Sequence, residues 1–279
     1  MQGEAITIAA ADGHTLGARR FQPPSGETLA TIVIAPASAT PQRFYRHFAA
    51  HLATCGFDTL TFDYRGIGES RPRSLRGYHA TMRQWGEHDL DGVLAFVEAE
   101  LRPRRQFLVG HSAGGQLVGL APRAAALDGI YLAASSSGYY GLWPGWQRLA
   151  LHAAFLAIPP LARVFGYLPY GALGGTDLPR DVAIEWSSWG RHPDYIRSAG
   201  ASFEHVRAPV RALSFSDDLF AARAAVAELV GWYERSEREH IHHSPREVGM
   251  RAIGHFGFFR PEAKEALWPD AVQWLARLC

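Results

Sequence analysis

The chain has 279 residues, 47% of them hydrophobic and 20% charged, ample material to build the core of one large domain or two small ones. Lys and Arg number 28 against 27 for Asp and Glu, and a net charge of +1 carries no signature of nucleic-acid or anionic-membrane binding. Two cysteines, Cys55 and Cys279, exclude a disulfide framework, and no Cys or His spacing suggests a metal knuckle. The opening MQGEAITIAAADGH lacks a basic stretch followed by an apolar one, so the expectation is a cytoplasmic protein with reduced thiols.

Taken in chain order, EAITIAA and HTLGARRF flank Asp12-Gly13 and predict a hairpin. TIVIAP is a short β-branched run of the kind found in buried strands, and RFYRHFAAHLATCG carries apolar residues at helical spacing before a glycine. FDTLTFD predicts a strand, DYRGIGESRP a charged loop and MRQWGEHDLDGVLAFVEAEL a long helix. The basic cluster of Arg102, Arg104 and Arg105 is a solvated turn before the strand RQFLVG. SAGGQLVGLAPRAAAL then predicts a helix and GIYLAASSS a strand.

This alternation implies an α/β fold with a mostly parallel sheet and helices on both faces. It breaks over residues 139–200, which hold four of the eight tryptophans, several prolines, two helix-like pieces and no strand signal. It resumes with APVRALSFSDD, LFAARAAVAELVGWYE, REHIHHSPREVGMRAI and a final helix over PEAKEALWPDAVQWLARL. The division expected is a core of 1–138 and 201–279 with a helical cap inserted at 139–200. Within the cap, LALHAAFLAIPPLARVF is apolar, but His152, the Pro159-Pro160 pair and Arg163 interrupt it short of a membrane span.

Gly110-His111-Ser112-Ala113-Gly114 stands where the strand RQFLV meets a helix. A sharp strand-to-helix turn lifts a serine Oγ above the sheet edge, and flanking glycines leave room for the neighbouring elements. The helix start behind it favours anionic charge. His255, in the loop AIGHFGFF at the carboxyl end of the last strand, is the candidate general base. Asp217 and Asp218 close the preceding strand; one would orient the imidazole while the other faces solvent or caps the next helix, and chemistry alone does not separate them. The Ala113 N–H is one oxyanion donor, and Ala37, after TIVIAP, is the best-placed second, since Pro36 has no N–H. His240, His242 and His243 read as a solvated edge strand rather than a metal site.

Together these features resemble the α/β-hydrolase superfamily. The order Ser112, Asp217 or Asp218, His255 is similar to that superfamily's order of nucleophile, acid and histidine. DYRGIGES resembles its D-x-R-G-x-G-x-S loop, GHSAGG its nucleophile elbow and ADGHTLGARRF its first hairpin. Counting from Pro209 as in relatives with P-V-x-x-x-H-G-x-x-D, the resemblance puts the acid at Asp218. PQRFYRHFA and the tryptophan-rich EWSSWGRHPDY resemble segments of bacterial predicted hydrolases of unassigned substrate. Two departures stand out: Ala35-Pro36 replaces the usual His-Gly, and Ser214-Phe215 the usual pair after the seventh strand.

The expectation is a serine hydrolase cleaving a carboxylic ester, or a thioester or amide, through an acyl-enzyme on Ser112. The catalytic residues are Ser112, Asp218 and His255, the oxyanion donors Ala37 and Ala113, with no metal or organic cofactor. The partner is a small-molecule substrate, with acyl or aromatic groups favoured by an apolar cap; the cap's tryptophans would also suit a homodimer. Two rivals remain open: an acyltransferase using the same acyl-enzyme, and a non-catalytic ligand-binding protein on the same fold.

Overall fold

The computed structural model describes residues 3–173 and 175–279. Its strands in chain order are β1 (Glu4–Ala9), β2 (Thr15–Phe21), β3 (Ala30–Ala35), β4 (Phe57–Phe62), β5 (Gln106–His111), β6 (Gly129–Ala133), β7 (Tyr167–Leu168), β8 (Leu178–Pro179), β9 (Val210–Phe215) and β10 (Arg238–His243). Eight of them form one sheet in the order β1-β2-β4-β3-β5-β6-β9-β10. From β4 to β10 every neighbour is parallel, while β2 runs antiparallel to both β1 and β4. This is the mostly parallel α/β architecture the alternation predicts. β3, β4, β5 and β6 are buried along their whole length, which is why none shows a solvent-facing alternation; β6 is an apolar run and β3 nearly so, while β4 buries Asp58 and two threonines and β5 buries Gln106 and His111 at its ends.

The register sets up the carboxyl edge. Ala35 pairs with Gly110, His111 with Ala133, Ala133 with Leu213 and Phe215 with His243. The loops after β3, β5, β9 and β10 therefore open at one end of the sheet, with strands roughly 4.8 Å apart.

The helices are α1 (Arg46–Thr54), α2 (Met82–Gln84), α3 (Asp91–Phe96), α4 (Ala113–Gln116), α5 (Gly145–Phe165), α6 (Arg180–Gly190), α7 (Arg223–Gly231) and α8 (Trp268–Ala276). The long helix predicted from MRQWGEHDL onward is one continuous stretch, with π turns at Trp85–Leu90 and Val97–Leu101 around α3. Two predicted helices are shorter than expected. SAGGQLVGLAPRAAAL gives only the four residues of α4 before passing into 3-10 turns, because Gly114 and Gly115 lower helix propensity and Pro122 restarts the chain. The final helix begins at Trp268 rather than Pro261, after a separate 3-10 turn at Pro261–Ala263.

Asp63, Arg65 and Ser70 tie the DYRGIGES loop into the core. The Arg65 guanidinium bridges Asp12 in the first hairpin, at 2.8 Å, and the fully buried Asp89. Burial opposes the Arg65 charge, yet the two carboxylates raise its pKa above the ordinary value, and the hydrogen bond from Arg65 holds Asp12 well below its own. Asp63 accepts the amides of Gln42 at 2.7 Å and Glu69 at 2.9 Å, while its burial pushes its pKa up to about 6. A single arginine thus joins the hairpin, the loop and the long helix.

Between β6 and β9 none of the described residues joins the main sheet; α5 and α6 pack against each other there, flanking the two-residue pair β7-β8. That small antiparallel pair carried no sequence signal. α5 runs unbroken through Pro159 and Pro160, contrary to the interruption expected there. Of the two carbonyls the prolines leave unbonded, that of Leu156 lies on the exposed side, where water can take it, while that of Phe155 belongs to a buried residue. The uninterrupted helix is long and apolar enough to cross a bilayer by length and composition, but its inner residues Phe155, Ile158 and Ala162 are buried, and the helix packs against α6. The Phe155 ring fits so closely over Gly190 that a Cβ there would stand 2.3 Å from it.

Candidate active site

The strand-to-helix turn after β5 holds Ser112 at φ 50°, ψ −115°, a left-handed conformation that a non-glycine residue adopts only where surroundings impose it. Two close approaches impose it here. A Cβ on Gly114 would lie 2.0 Å from the Ala35 carbonyl oxygen, and one on Gly110 2.8 Å from the Gly115 Cα. Both glycines are therefore steric requirements of the elbow. Ser112 itself is half-buried. Ala113 opens α4, so its N–H has no intrahelical acceptor. At four residues α4 is too short to supply the field a longer helix would, so the amide rather than the helix carries any electrostatic contribution.

His255 and Asp218 meet across the loops after β10 and β9. His255 Nδ1 lies 2.9 Å from Asp218 Oδ2 and 3.1 Å from Oδ1, with the carboxylate fully buried. Asp218 Oδ1 also accepts the amides of Phe220 at 2.7 Å and Ala221 at 3.0 Å, so the carboxylate is fixed by its own loop. With the Nδ1 proton held there, Nε2 keeps its lone pair. No hydrogen bond joins His255 to Ser112 among the described residues.

Asp217 is exposed, as expected of the second carboxylate, and caps no helix. Its Oδ2 accepts the Ile253 amide at 2.8 Å and so holds the histidine loop from below. The loop is secured again by Phe258 and Phe259, both buried: Phe259 packs 4.9 Å from Tyr45 and 4.8 Å from His111, and Phe258 5.3 Å from Phe48.

His111, beside the serine in sequence, is fully buried and makes two hydrogen bonds. Its Nε2–H donates to the His255 carbonyl at 2.9 Å, and its Nδ1 accepts from the Tyr45 hydroxyl at 2.8 Å. Burial depresses its pKa well below the ordinary value, and the neighbouring His255 adds to the effect. The Tyr45 hydroxyl in turn accepts the Ala37 N–H at 2.8 Å. The amide expected to point at an oxyanion is thus committed to Tyr45 in this structure. The next amide, that of Ser38, takes no acceptor among the described residues. The sequence held one sign of this network, the tyrosine within PQRFYR; nothing in it told that Tyr45 would reach both Ala37 and His111.

His240 and His242 lie on one side of edge strand β10, where each nitrogen sits 2.7 Å from the buried Ser214 hydroxyl. Ser214, at the position where relatives carry His-Gly, is thereby occupied with the edge strand rather than the site. No cluster suited to a metal ion is found among the described residues.

The chain is similar to known proteins in family and fold. The family model described as serine aminopeptidase, S33 matches residues 26–168, just over half the chain, including Ser112 but ending before Asp218 and His255. No curated protein matches the sequence significantly. Among solved structures, a soluble variant of monoglyceride lipase from Saccharomyces cerevisiae superposes with a TM-score of 0.68 at 16% identity, covering 100% of this chain and 96% of that one. An esterase from Pyrococcus furiosus gives 0.66 at 14% identity, covering 99% and 91%. A monoacylglycerol lipase from Paleococcus ferrophilus gives 0.62 at 18% identity, covering 95% and 99%. At such identities these matches establish the fold alone. With more than half its length matched, the chain belongs to the serine aminopeptidase S33 family of the α/β-hydrolase superfamily.

Proposed function

We infer that the protein is a serine hydrolase that cleaves carboxylic esters, with thioesters and amides open to the same chemistry. The observations that carry this reading are the Ser112 backbone, held at φ 50°, and a histidine whose Nδ1 is fixed by a buried carboxylate and whose carbonyl is bonded by His111, the residue before the serine. A serine that only capped a helix would have no need of either feature.

In this reading Ser112 Oγ attacks the acyl carbon as His255 Nε2 takes its proton. The imidazolium so formed is stabilised by Asp218. Negative charge on the carbonyl oxygen is met by the amide of Ala113 and by one from the loop after β3, Ser38 in place of Ala37 while Tyr45 holds the latter. His255 returns the proton to the leaving alcohol, and a water molecule, deprotonated by the same nitrogen, releases the acid and restores Ser112. No metal or organic cofactor takes part. Phe220 lies 5.4 Å from the His255 ring and is 56% exposed, which supports acyl or aromatic substrates on that side. The similarity to an esterase and to glyceride lipases is consistent with esters as the preferred class.

The test is labelling by a fluorophosphonate probe, which reports an activated serine whatever its substrate. Wild type labels, while Ser112→Ala and His255→Ala do not, and p-nitrophenyl esters of rising acyl length then rank the substrates. A folded wild type that stays unlabelled would overturn the reading in favour of a non-catalytic binding protein.

A further inference from the structure

Helix α5 is apolar on both its faces. One face, with Phe155, Ile158 and Ala162, is buried in the cap. The opposite face carries Trp146, Leu149, Ala153, Leu156, Pro160 and Val164, spaced three or four residues apart. They form a single stripe roughly 27 Å long with no polar residue in it. Trp146, Leu149 and Val164 are 72%, 69% and 76% exposed. The solvent side of a helix in a monomeric protein ordinarily carries charge, and an uninterrupted apolar stripe there marks an interaction surface.

The ionisable side chains of α5 itself are all basic. Arg148, His152 and Arg163 are the only ionisable side chains on α5, and no Asp or Glu occurs between Asp128 and Asp177. Arg76 reaches the carboxyl end of the helix, its Cγ 3.2 Å from where a Cβ on Gly166 would stand. The near-neutral balance of the whole chain conceals this segregation. At the other end the apolar surface continues toward the site: Trp143 Nε1 donates to the Leu219 carbonyl at 3.0 Å, and Leu219 and Phe220 are 63% and 56% exposed. Phe220 then borders His255.

We propose that α5 docks the protein on an anionic lipid surface. The helix lies flat, with the stripe in the boundary between headgroups and acyl chains and the arginines against lipid phosphates. The buried inner face ties it to the cap, so it rests on the surface rather than crossing it. A second copy of the chain fits this face less well, because a self-complementary interface would set the same basic flank near itself with no carboxylate on the helix to answer it. The proposal concerns binding alone and stands whether or not Ser112 is acylated.

The experiment is flotation of the full chain with vesicles of phosphatidylcholine, alone or mixed with phosphatidylglycerol, alongside sedimentation velocity and fluorophosphonate labelling in solution. Wild type floats with the mixed vesicles. Leu149→Asn combined with Val164→Asn weakens flotation by at least about tenfold through lost apolar insertion. Arg148→Gln combined with Arg163→Gln reduces the preference for anionic lipid by about fivefold per arginine. Both double variants keep wild-type thermal unfolding, since they alter only exposed positions. A folded wild type that remains in the lipid-free fraction with both vesicle types overturns the proposal, as does a wild-type dimer that the Leu149/Val164 variant dissociates without any vesicle binding. If labelling fails while flotation holds, the catalytic reading falls and the docking surface stands.

Discussion

Asp218 and His255 come from loops two and three strands from the elbow in sheet order, yet their side chains meet at 2.9 Å, while the adjacent Asp217 turns away to hold the Ile253 amide at 2.8 Å. Two neighbouring carboxylates therefore have separable roles, one on the imidazole and one on the backbone that carries it. Asp218→Asn preserves shape but no longer stabilises the imidazolium, and kcat for ester hydrolysis should fall by roughly 10³–10⁴-fold. Asp217→Asn removes a charge-assisted bond to a loop amide, so it should cost about 1–2 kcal/mol of stability while kcat stays within roughly tenfold. Steady-state kinetics and urea unfolding of both variants check this; equal losses of kcat would show that the two aspartates are not separated in this way.

The sheet was legible because its central strands are short segments rich in β-branched and apolar residues, and the elbow because glycines bracket a serine at a strand end. Asp218 followed from counting rather than from chemistry, since adjacent aspartates look identical until the Phe220 and Ala221 amides choose one of them. The bond from the Ala37 amide to Tyr45 was not legible for a different reason. The amide's direction depends on Tyr45, eight residues away and on another element, and backbone hydrogen-bond partners leave no trace in the identity of an alanine. The unbroken course of α5 was hidden by proline rules that assume a helix in need of every hydrogen bond; here the helix carries on past two lost bonds, one of them at the exposed Leu156 carbonyl.

Tyr45→Phe tests the network behind the serine. The hydroxyl satisfies the Ala37 amide and His111 Nδ1 at once, and both become unpaired when it is removed. At roughly 1–3 kcal/mol per orphaned buried group, the variant should lose about 2–4 kcal/mol of stability. The loop after β3 also loses the contact that sets the direction of the Ser38 amide, and kcat should drop by about tenfold with KM little changed. Unaltered unfolding of Tyr45→Phe would show that the two groups find other partners.

Gly114→Ala tests the steric basis of the elbow. The added methyl would stand 2.0 Å from the Ala35 carbonyl oxygen, a backbone atom of a fully buried central strand that has little room to move. Either β3 or the turn must shift, at a cost of at least about 3 kcal/mol. Fluorophosphonate labelling should be lost together with the drop in thermal midpoint, because the same displacement releases Ser112 from its strained dihedrals. A variant with wild-type stability and labelling would mean that the elbow tolerates a side chain at this position.

His111 makes the protein's stability depend on pH in a definable direction. Buried and neutral, with one nitrogen donating to the His255 carbonyl and the other accepting from Tyr45, it has no place for a second proton, and burial holds its pKa well below the ordinary 6.5. In the unfolded chain the same imidazole takes up a proton as pH falls below about 6.5. The unfolded state then binds more protons than the native one, so the stabilising contribution is complete above that pH and is lost on acidification toward the depressed native value. The slope reaches at most about 1.4 kcal/mol per pH unit for this one group. His51, His240 and His242 are shifted the same way, chiefly by their own burial, and add slopes of the same sign. Comparison with His111→Gln isolates the term, because the amide cannot titrate and the other histidines remain. Urea midpoints measured from neutral pH down to about pH 5 should fall more steeply for wild type than for His111→Gln, even though the variant is less stable at neutral pH. Parallel curves would mean that His111 is protonated in the native state, and the Tyr45 hydroxyl would then have to accept from it rather than donate.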